Sequence, residues 1–217
     1  MVMTPSGYKS RVGRFFQGLP GVYTVKLYAR QTAFIRNLRR LNDLLATTAL
    51  ANRYYVCGGL LLGWAKNGKV QTEDIDDADF AYLAEDAGAF ESAARVLARQ
   101  GFEPVYRFVN NDGQPTEHVF RRHRARFDFF TVWRGEGRIR YFMYDSRTEF
   151  VCERTDQDLV PFRFLNRTWL KPAGHEVVLT ETYGDWKASK PHWNYTEACT
   201  IKARCPATFG RQPWTIA

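Results

Sequence analysis

The sequence predicts an α+β fold, a single domain with an N-terminal amphipathic helix and an irregular C-terminal extension. Three observations carry that reading. Apolar residues recur at helical spacing in two stretches, Phe34, Leu38, Leu41 and Leu45 in one, Phe90, Ala93, Ala94 and Leu97 in the other. Short apolar runs after the second stretch are punctuated by turn residues, as in an antiparallel meander. The chain has 217 residues, 45 % hydrophobic and 25 % charged, enough for one core without disulfide or metal staples. That composition excludes disordered, collagen-like and coiled-coil chains. No window approaches the roughly 20 consecutive apolar residues of a membrane span, and the N-terminus lacks the hydrophobic run of a secretory signal. The expectation is a cytoplasmic protein.

The elements follow in order. Residues 1–25 read as a basic arm containing Phe15-Phe16, and Tyr28 to Asn52 as an amphipathic helix whose outer face carries Arg36, Arg39 and Arg40. Tyr54-Tyr55-Val56-Cys57 is a β-rich run stopped by Gly58-Gly59, and Leu60–Lys66 is a short helix closed by Asn67-Gly68. Asp77 to Tyr82 alternates acidic or small residues with apolar ones, the mark of a half-buried strand. Gly88 to Gln100 is a second amphipathic helix ended by Gly101. The meander comprises Pro104–Val109, Thr116–Arg121, Arg126–Trp133 and Ile139–Tyr144, with turns at Asn110-Asn111-Asp112-Gly113 and Gly135-Glu136-Gly137. Beyond Asp145 the pattern weakens into short strands, loops and an aromatic-rich tail from Tyr183 to Trp214.

Charge is unevenly spread. The net charge is +8, yet residues 1–50 hold eight basic side chains (Lys9, Arg11, Arg14, Lys26, Arg30, Arg36, Arg39, Arg40) against Asp43 alone, while residues 51–100 are net acidic. A basic front end before an acidic cluster suggests an anionic partner beside a metal site, or simply a solubilising face. Cys57, Cys152, Cys199 and Cys205 show neither zinc spacing nor disulfide-scaffold density, so they read as reduced thiols. His118 and His123 lack ligand partners at zinc spacing and read as surface or hydrogen-bonding residues.

Glu73-Asp74-Ile75-Asp76-Asp77-Ala78-Asp79-Phe80 packs five acids into seven residues, which repel unless solvated or neutralised by cations. Side chains at i and i+2 of a strand share a face, so Asp77 and Asp79 can project into a cleft while Ala78 and Phe80 enter the core. Such a pair suits divalent ions roughly 3.5–4 Å apart, as in in-line phosphoryl transfer. Asp74 and Asp76 form the alternative pair, and a merely solvated loop is the bland reading. Asp128 is the single acid in the apolar run Phe127-Asp128-Phe129-Phe130-Thr131-Val132, so it needs a partner. It is either the third carboxylate of a metal cluster, ligand or base, or an ion pair with Arg126 or Arg140. Gly58-Gly59, between a strand and a helix, would let backbone N–H groups approach a phosphate. Arg121, Arg122, Arg124 and Arg126 offer guanidinium groups to the same charge.

A strand, a glycine pair, a short helix, Asp-x-Asp and a later lone aspartate together resemble the nucleotidyltransferase superfamily. Three stretches are similar to its LicD/fukutin branch: Cys57-Gly58-Gly59-Leu60-Leu61-Leu62-Gly63-Trp64 with Asp76-Asp77-Ala78-Asp79-Phe80; Arg126-Phe127-Asp128-Phe129-Phe130; and Glu181-Thr182-Tyr183-Gly184-Asp185-Trp186 followed by Pro191 and Trp193. The resemblance covers about residues 54–195 of one domain, and implies a nucleotidyltransferase-like mixed sheet flanked by helices. It further implies transfer of phosphocholine or a polyol phosphate from a CDP-activated donor to a hydroxyl of a glycan or lipid-linked glycan, with Mg²⁺ or Mn²⁺. Asp77, Asp79 and Asp128 would then be the metal-binding and catalytic residues. Gly58, Gly59, Lys66 and Arg126 would meet phosphate, and Trp64, Tyr183 and Trp186 would stack on a base, a sugar or a choline-like head group. Peripheral contact with anionic lipid at the inner membrane face is expected of the basic arm. An NTP-dependent nucleotidyltransferase acting on a small molecule, RNA or protein would use the same carboxylates. The other alternative is a non-catalytic nucleic-acid-binding module, disfavoured because acids crowd the region that would face the polyanion.

Overall fold

The computed structural model describes residues 20–72, 74–188, 194–198 and 200–216. Most of the basic arm, including Lys9, Arg11, Arg14 and Phe15-Phe16, lies outside the described residues, as do Glu73, Pro191, Trp193 and Cys199. Helix α1 runs over Pro20–Leu45, starting earlier and ending earlier than its periodicity predicts. Its end has a local cause. The hydroxyls of Thr47 and Thr48 donate to the carbonyls of Leu44 and Leu45 at 2.7 and 2.8 Å, offering the last turn an alternative to further helix. Phe34, Leu38, Leu41 and Leu45 of α1 are fully buried, as expected.

Strand β1 (Tyr54–Val56) leads into helix α2 (Gly58–Asn67), which Gly68 closes in the left-handed conformation at φ +63. Strand β2 (Asp77–Leu83) and helix α3 (Ala87–Arg99) follow. The meander is β3 (Glu103–Val109), β4 (Pro115–Arg122), β5 (Ala125–Gly135) and β6 (Arg138–Tyr144), each within two residues of its predicted limits. The C-terminal part is far more regular than its sequence suggests. It forms β7 (Thr148–Thr155), the separate hairpin β8 (Leu159–Phe164) and β9 (Arg167–Pro172), α4 (His175–Tyr183), β10 (Ile201–Pro206) and β11 (Gly210–Pro213). Strand β7 was hidden by Glu149 and Arg154, which are charged yet only 4 % and 6 % exposed. Each has found a buried partner. Glu149 accepts from the Asn111 backbone N–H at 2.9 Å and the Tyr144 hydroxyl at 3.1 Å, and Arg154 donates to the Tyr55 hydroxyl at 2.6 Å.

One nine-stranded sheet runs β10-β7-β6-β5-β4-β3-β11, with β1 and β2 joined to it through β5. All its pairings are antiparallel except β2 with β5. Strands β10 and β11 lie at opposite ends of that order, yet only residues 207–209 connect them. Four Cα steps span about 15 Å at most, so the sheet curls until its edges approach. Phe108 of β3 therefore stacks on Tyr144 of β6, ring centroids 4.8 Å apart. The main core lies between one sheet face and α1, α2, α3 and the β8–β9 hairpin. There Phe80 stacks on Phe129 and Trp169 at 5.1 and 5.8 Å. The opposite face of β2 and β5 carries the acids. No helix among the described residues is long and apolar enough to cross a membrane.

Candidate metal centre

The parallel register of β2 and β5 sets Asp79 beside Asp128 and Asp77 beside Arg126. Alternation along each strand puts these four side chains on one face, while Ala78, Phe80, Phe127 and Phe129 enter the core with at most 1 % exposure. One carboxylate oxygen from each of Asp77, Asp79 and Asp128 lies within 4.8 Å of the others, and this is the only such group among the described residues. The site is graded in depth. The Asp77 side chain is 47 % exposed and that of Asp128 2 %. The turn before β2 excludes the alternative pair from the cluster: Asp76, at φ +82, accepts from Arg30 of α1. Asp74 leans on the start of α2 instead.

Glycine is required where α2 begins. Gly58 has φ +55, and a Cβ there would fall 2.0 Å from Asp79 Oδ2; a Cβ on Gly59 would fall 2.7 Å from Asp74 Oδ2. The bare backbone lets Asp79 Oδ2 accept the Gly59 N–H at 3.3 Å. Cys57, the residue preceding α2, makes no side-chain cap, so β2 supplies a carboxylate to the positive end of the helix.

Asp128 Oδ1 is buried without a hydrogen-bond partner. An unsatisfied buried acceptor costs about 1–3 kcal/mol, more when charged. A hard divalent cation with oxygen ligands would relieve that cost, so this donor set fits Mg²⁺ or Mn²⁺. Burial raises the Asp79 carboxyl to about 7, with the Asp77 charge adding to it. Burial also holds Asp128 well above the ordinary carboxylate range, helped by Glu117 and partly offset by Arg126. These are carboxylates short of positive charge.

Of the other residues singled out from sequence, the structure brings Gly58, Gly59 and Arg126 to the acids. Arg126 Nε lies 2.9 Å from Asp128 Oδ2 and donates to Asp77 Oδ1 at 3.1 Å, and a terminal nitrogen donates to Asp77 Oδ2 at 3.1 Å. The ion pair with Arg126 considered for Asp128 is thus present, and it leaves Asp128 within the group of three carboxylates. Tyr183 ends α4 nearby: burial pushes its phenol well up, and the charges of Asp79, Cys57 and Asp74 add to this. Trp64 lies elsewhere, two turns along α2, packed against Phe162 at 4.6 Å and His175 at 5.2 Å. Lys66 donates to the Ala188 carbonyl at 3.0 Å, and Trp186 is buried in the core. Arg121, opposite Arg126 across β4 and β5, pairs with Glu103 at 3.2 Å, and Arg122 reaches Gln100 and the Phe102 ring. Within the basic N-terminal region, Arg30, Arg39 and Arg40 spend their charge inside the molecule, on Asp76, the Leu165 carbonyl and Gln100. Of the two readings of His118 the structure bears out hydrogen bonding rather than surface exposure: it is 6 % exposed, its Nδ1 lies 3.4 Å from the Tyr82 hydroxyl, and Phe90 and Trp214 pack on its ring.

Two residues went unread. Glu117 of β4 lies opposite Phe130, on the same face as Asp128, and burial raises its carboxyl to about 8. An acid inside the strand Thr116-Glu117-His118-Val119-Phe120 is the signal that singled out Asp128, and it was available here too. Tyr106 lies in the row Tyr106–Val119–Asp128–Asp79 across four strands, with the Arg211 guanidinium 3.8 Å from its ring centre. Its partner Arg211 comes from β11, which sequence could not place.

No protein-family model matches the chain, and no curated protein matches it. Among solved structures, the lincosamide antibiotic adenylyltransferase LnuA in its lincomycin-bound form aligns at 15 % identity over 61 % of this chain and 77 % of that one, with a TM-score of 0.38. That likeness is too loose to carry fold or function across, and the chemistry rests on the carboxylates themselves.

Proposed function

We propose that the chain is a divalent-metal-dependent transferase acting on the phosphoanhydride of a nucleotide donor, with nucleotidyl transfer from an NTP as the leading reading. The observation that supports it is the triad Asp77, Asp79 and Asp128, with a buried unpartnered oxygen, beside a glycine-opened helix N-terminus. When bound, Mg²⁺ or Mn²⁺ would neutralise donor phosphate charge and orient it for in-line displacement. An acceptor hydroxyl attacks the α-phosphorus, the anhydride P–O bond breaks, and pyrophosphate departs. The hydroxyl proton passes to a carboxylate of the site and then to solvent. The backbone N–H groups at Gly58-Gly59 favour the negative phosphate oxygens.

The second reading is transfer of phosphocholine or a polyol phosphate from a CDP-activated donor to a glycan, with CMP departing. It is favoured by the position of Tyr183, from the Tyr-Gly-Asp-Trp element, near the acids. Peripheral association with anionic lipid belongs to this reading, and liposome co-sedimentation indifferent to anionic lipid would remove it.

The test is thermal unfolding with Mg²⁺ or Mn²⁺ and a panel of ATP, GTP, UTP, CTP, CMP, CDP-choline, CDP-ribitol and CDP-glycerol. A ligand at 100 times its Kd adds about 2.7 kcal/mol, which raises Tm by several degrees in a domain of this size. Metal-dependent stabilisation by an NTP supports nucleotidyl transfer, and stabilisation by a CDP compound alone supports the second reading. No shift with any nucleotide refutes both.

A further inference from the structure

Arg126 occupies the lone pairs that a metal ion would need. Its guanidinium engages both oxygens of Asp77 and Oδ2 of Asp128, all within 2.9–3.1 Å. A divalent cation shared among Asp77, Asp79 and Asp128 would compete for those oxygens and repel the guanidinium beside it. Arginine cannot relieve that repulsion by losing its proton, so it must move. The geometry allows this, because the Arg126 side chain is 46 % exposed and the Asp77 carboxylate 47 % exposed, on the open side of the site. Asp128 stays fixed in the buried strand, with its second oxygen unpartnered. A donor phosphate offers the guanidinium a bidentate alternative to Asp77.

We infer that Arg126 is a resident counter-cation that couples metal binding to donor binding. In the free protein it pairs with Asp77 and Asp128 and weakens their hold on a divalent ion. A nucleotide phosphate draws it off the carboxylates, and the metal enters as it leaves. Metal and donor thus bind with positive cooperativity, each strengthening the other by the same factor. This rests on the nucleotide-donor reading above, and adds a positioning role that the triad alone does not require.

The test is Mn²⁺ binding, followed by electron paramagnetic resonance of the free ion. It compares wild type, Arg126→Gln, Arg126→Lys and Arg126→Gln combined with Asp128→Asn, first without nucleotide and then with ATP or CTP, correcting for chelation by the nucleotide. Without nucleotide, Arg126→Gln should bind Mn²⁺ about tenfold more tightly than wild type, within the usual range of coupling between sites. Arg126→Lys, which keeps the charge but loses the fork, should fall between the two. Nucleotide should tighten Mn²⁺ binding to wild type by a similar factor and to Arg126→Gln far less. Equal or weaker binding by both Arg126 variants, with none by the double variant, overturns the coupling and leaves the metal centre standing. Binding by the double variant equal to that of Arg126→Gln overturns the metal centre itself.

Discussion

Asp79 and Asp128 are direct neighbours across the single parallel strand pair of the nine-stranded sheet, each restrained by a different group. Asp79 accepts the Gly59 N–H from the start of α2, and Asp128 is paired with Arg126 on its own strand. Their common burial keeps both carboxyls protonated to higher pH than ordinary side chains, because the charged forms lose water without gaining enough positive charge.

Replacing Asp128 by Asn should abolish metal-dependent transfer. The loss should exceed the roughly 10–100-fold typical of groups that only orient a ligand. Near-wild-type turnover in the folded variant would remove Asp128 from the metal set.

Asp79→Asn should stabilise the metal-free protein at neutral and alkaline pH. A folded pKa of about 7 lies above the unfolded value of about 3.9. The folded state therefore holds a proton that the unfolded state has lost, and the Asp79 contribution is full below about pH 3.9 and disappears as pH rises through 7. Urea denaturation should show the Asn variant ahead of wild type at pH 8 and level with it near pH 4. An advantage independent of pH would contradict the assignment.

Metal affinity should follow the same proton. Below pH 7 a metal ion must displace it from Asp79, and any proton held by Asp128 as well, so Mn²⁺ affinity should rise by at least tenfold per pH unit up to about 7. Titrations from pH 5.5 to 8.5 check this, and a flat profile would show that no proton is displaced from the site.

Gly58→Ala should lose both stability and activity. The left-handed backbone costs a non-glycine residue roughly 1–2 kcal/mol, and the new Cβ falls 2.0 Å from Asp79 Oδ2. Gly68→Ala is the matched control, since its φ is +63 with nothing within 4 Å of the added Cβ. Transfer should persist in the Gly68 variant and fail in the Gly58 variant. Equal effects on transfer would show that the clash with Asp79 does not matter.

His118 should make the protein acid-sensitive. Burial holds its imidazole neutral down to about pH 3, against about 6.5 when unfolded. The unfolded chain takes up the proton first, so stability falls by about 1.4 kcal/mol per pH unit from roughly 6.5 towards 3. His118→Phe should flatten that limb relative to wild type, and parallel curves would locate the acid sensitivity elsewhere.

Much of this architecture was legible along the chain. The face of α1 carrying Phe34, Leu38 and Leu41, the alternation of Asp77 to Phe80 and the turns of the meander obey local periods that neighbouring residues set. Strand β7 was not legible, because Glu149 and Arg154 sit in buried positions made tolerable by Asn111 and Tyr144 for the one and the distant Tyr55 for the other. Tyr106 and its cover Arg211 escaped for a related reason: β11 reaches β3 only because the sheet curls.

Residue type and spacing alone place the amphipathic helices, the strands of the meander and the shared face of Asp77 and Asp79, since backbone geometry converts them directly into orientation. That Asp77 and Asp79, not Asp74 and Asp76, meet Asp128, with Arg126 among them, comes from the folded chain. That choice depends on a parallel pairing between strands separated by α3, β3 and β4, whose register follows from packing Phe80, Phe127 and Phe129 into one core rather than from any period in the chain.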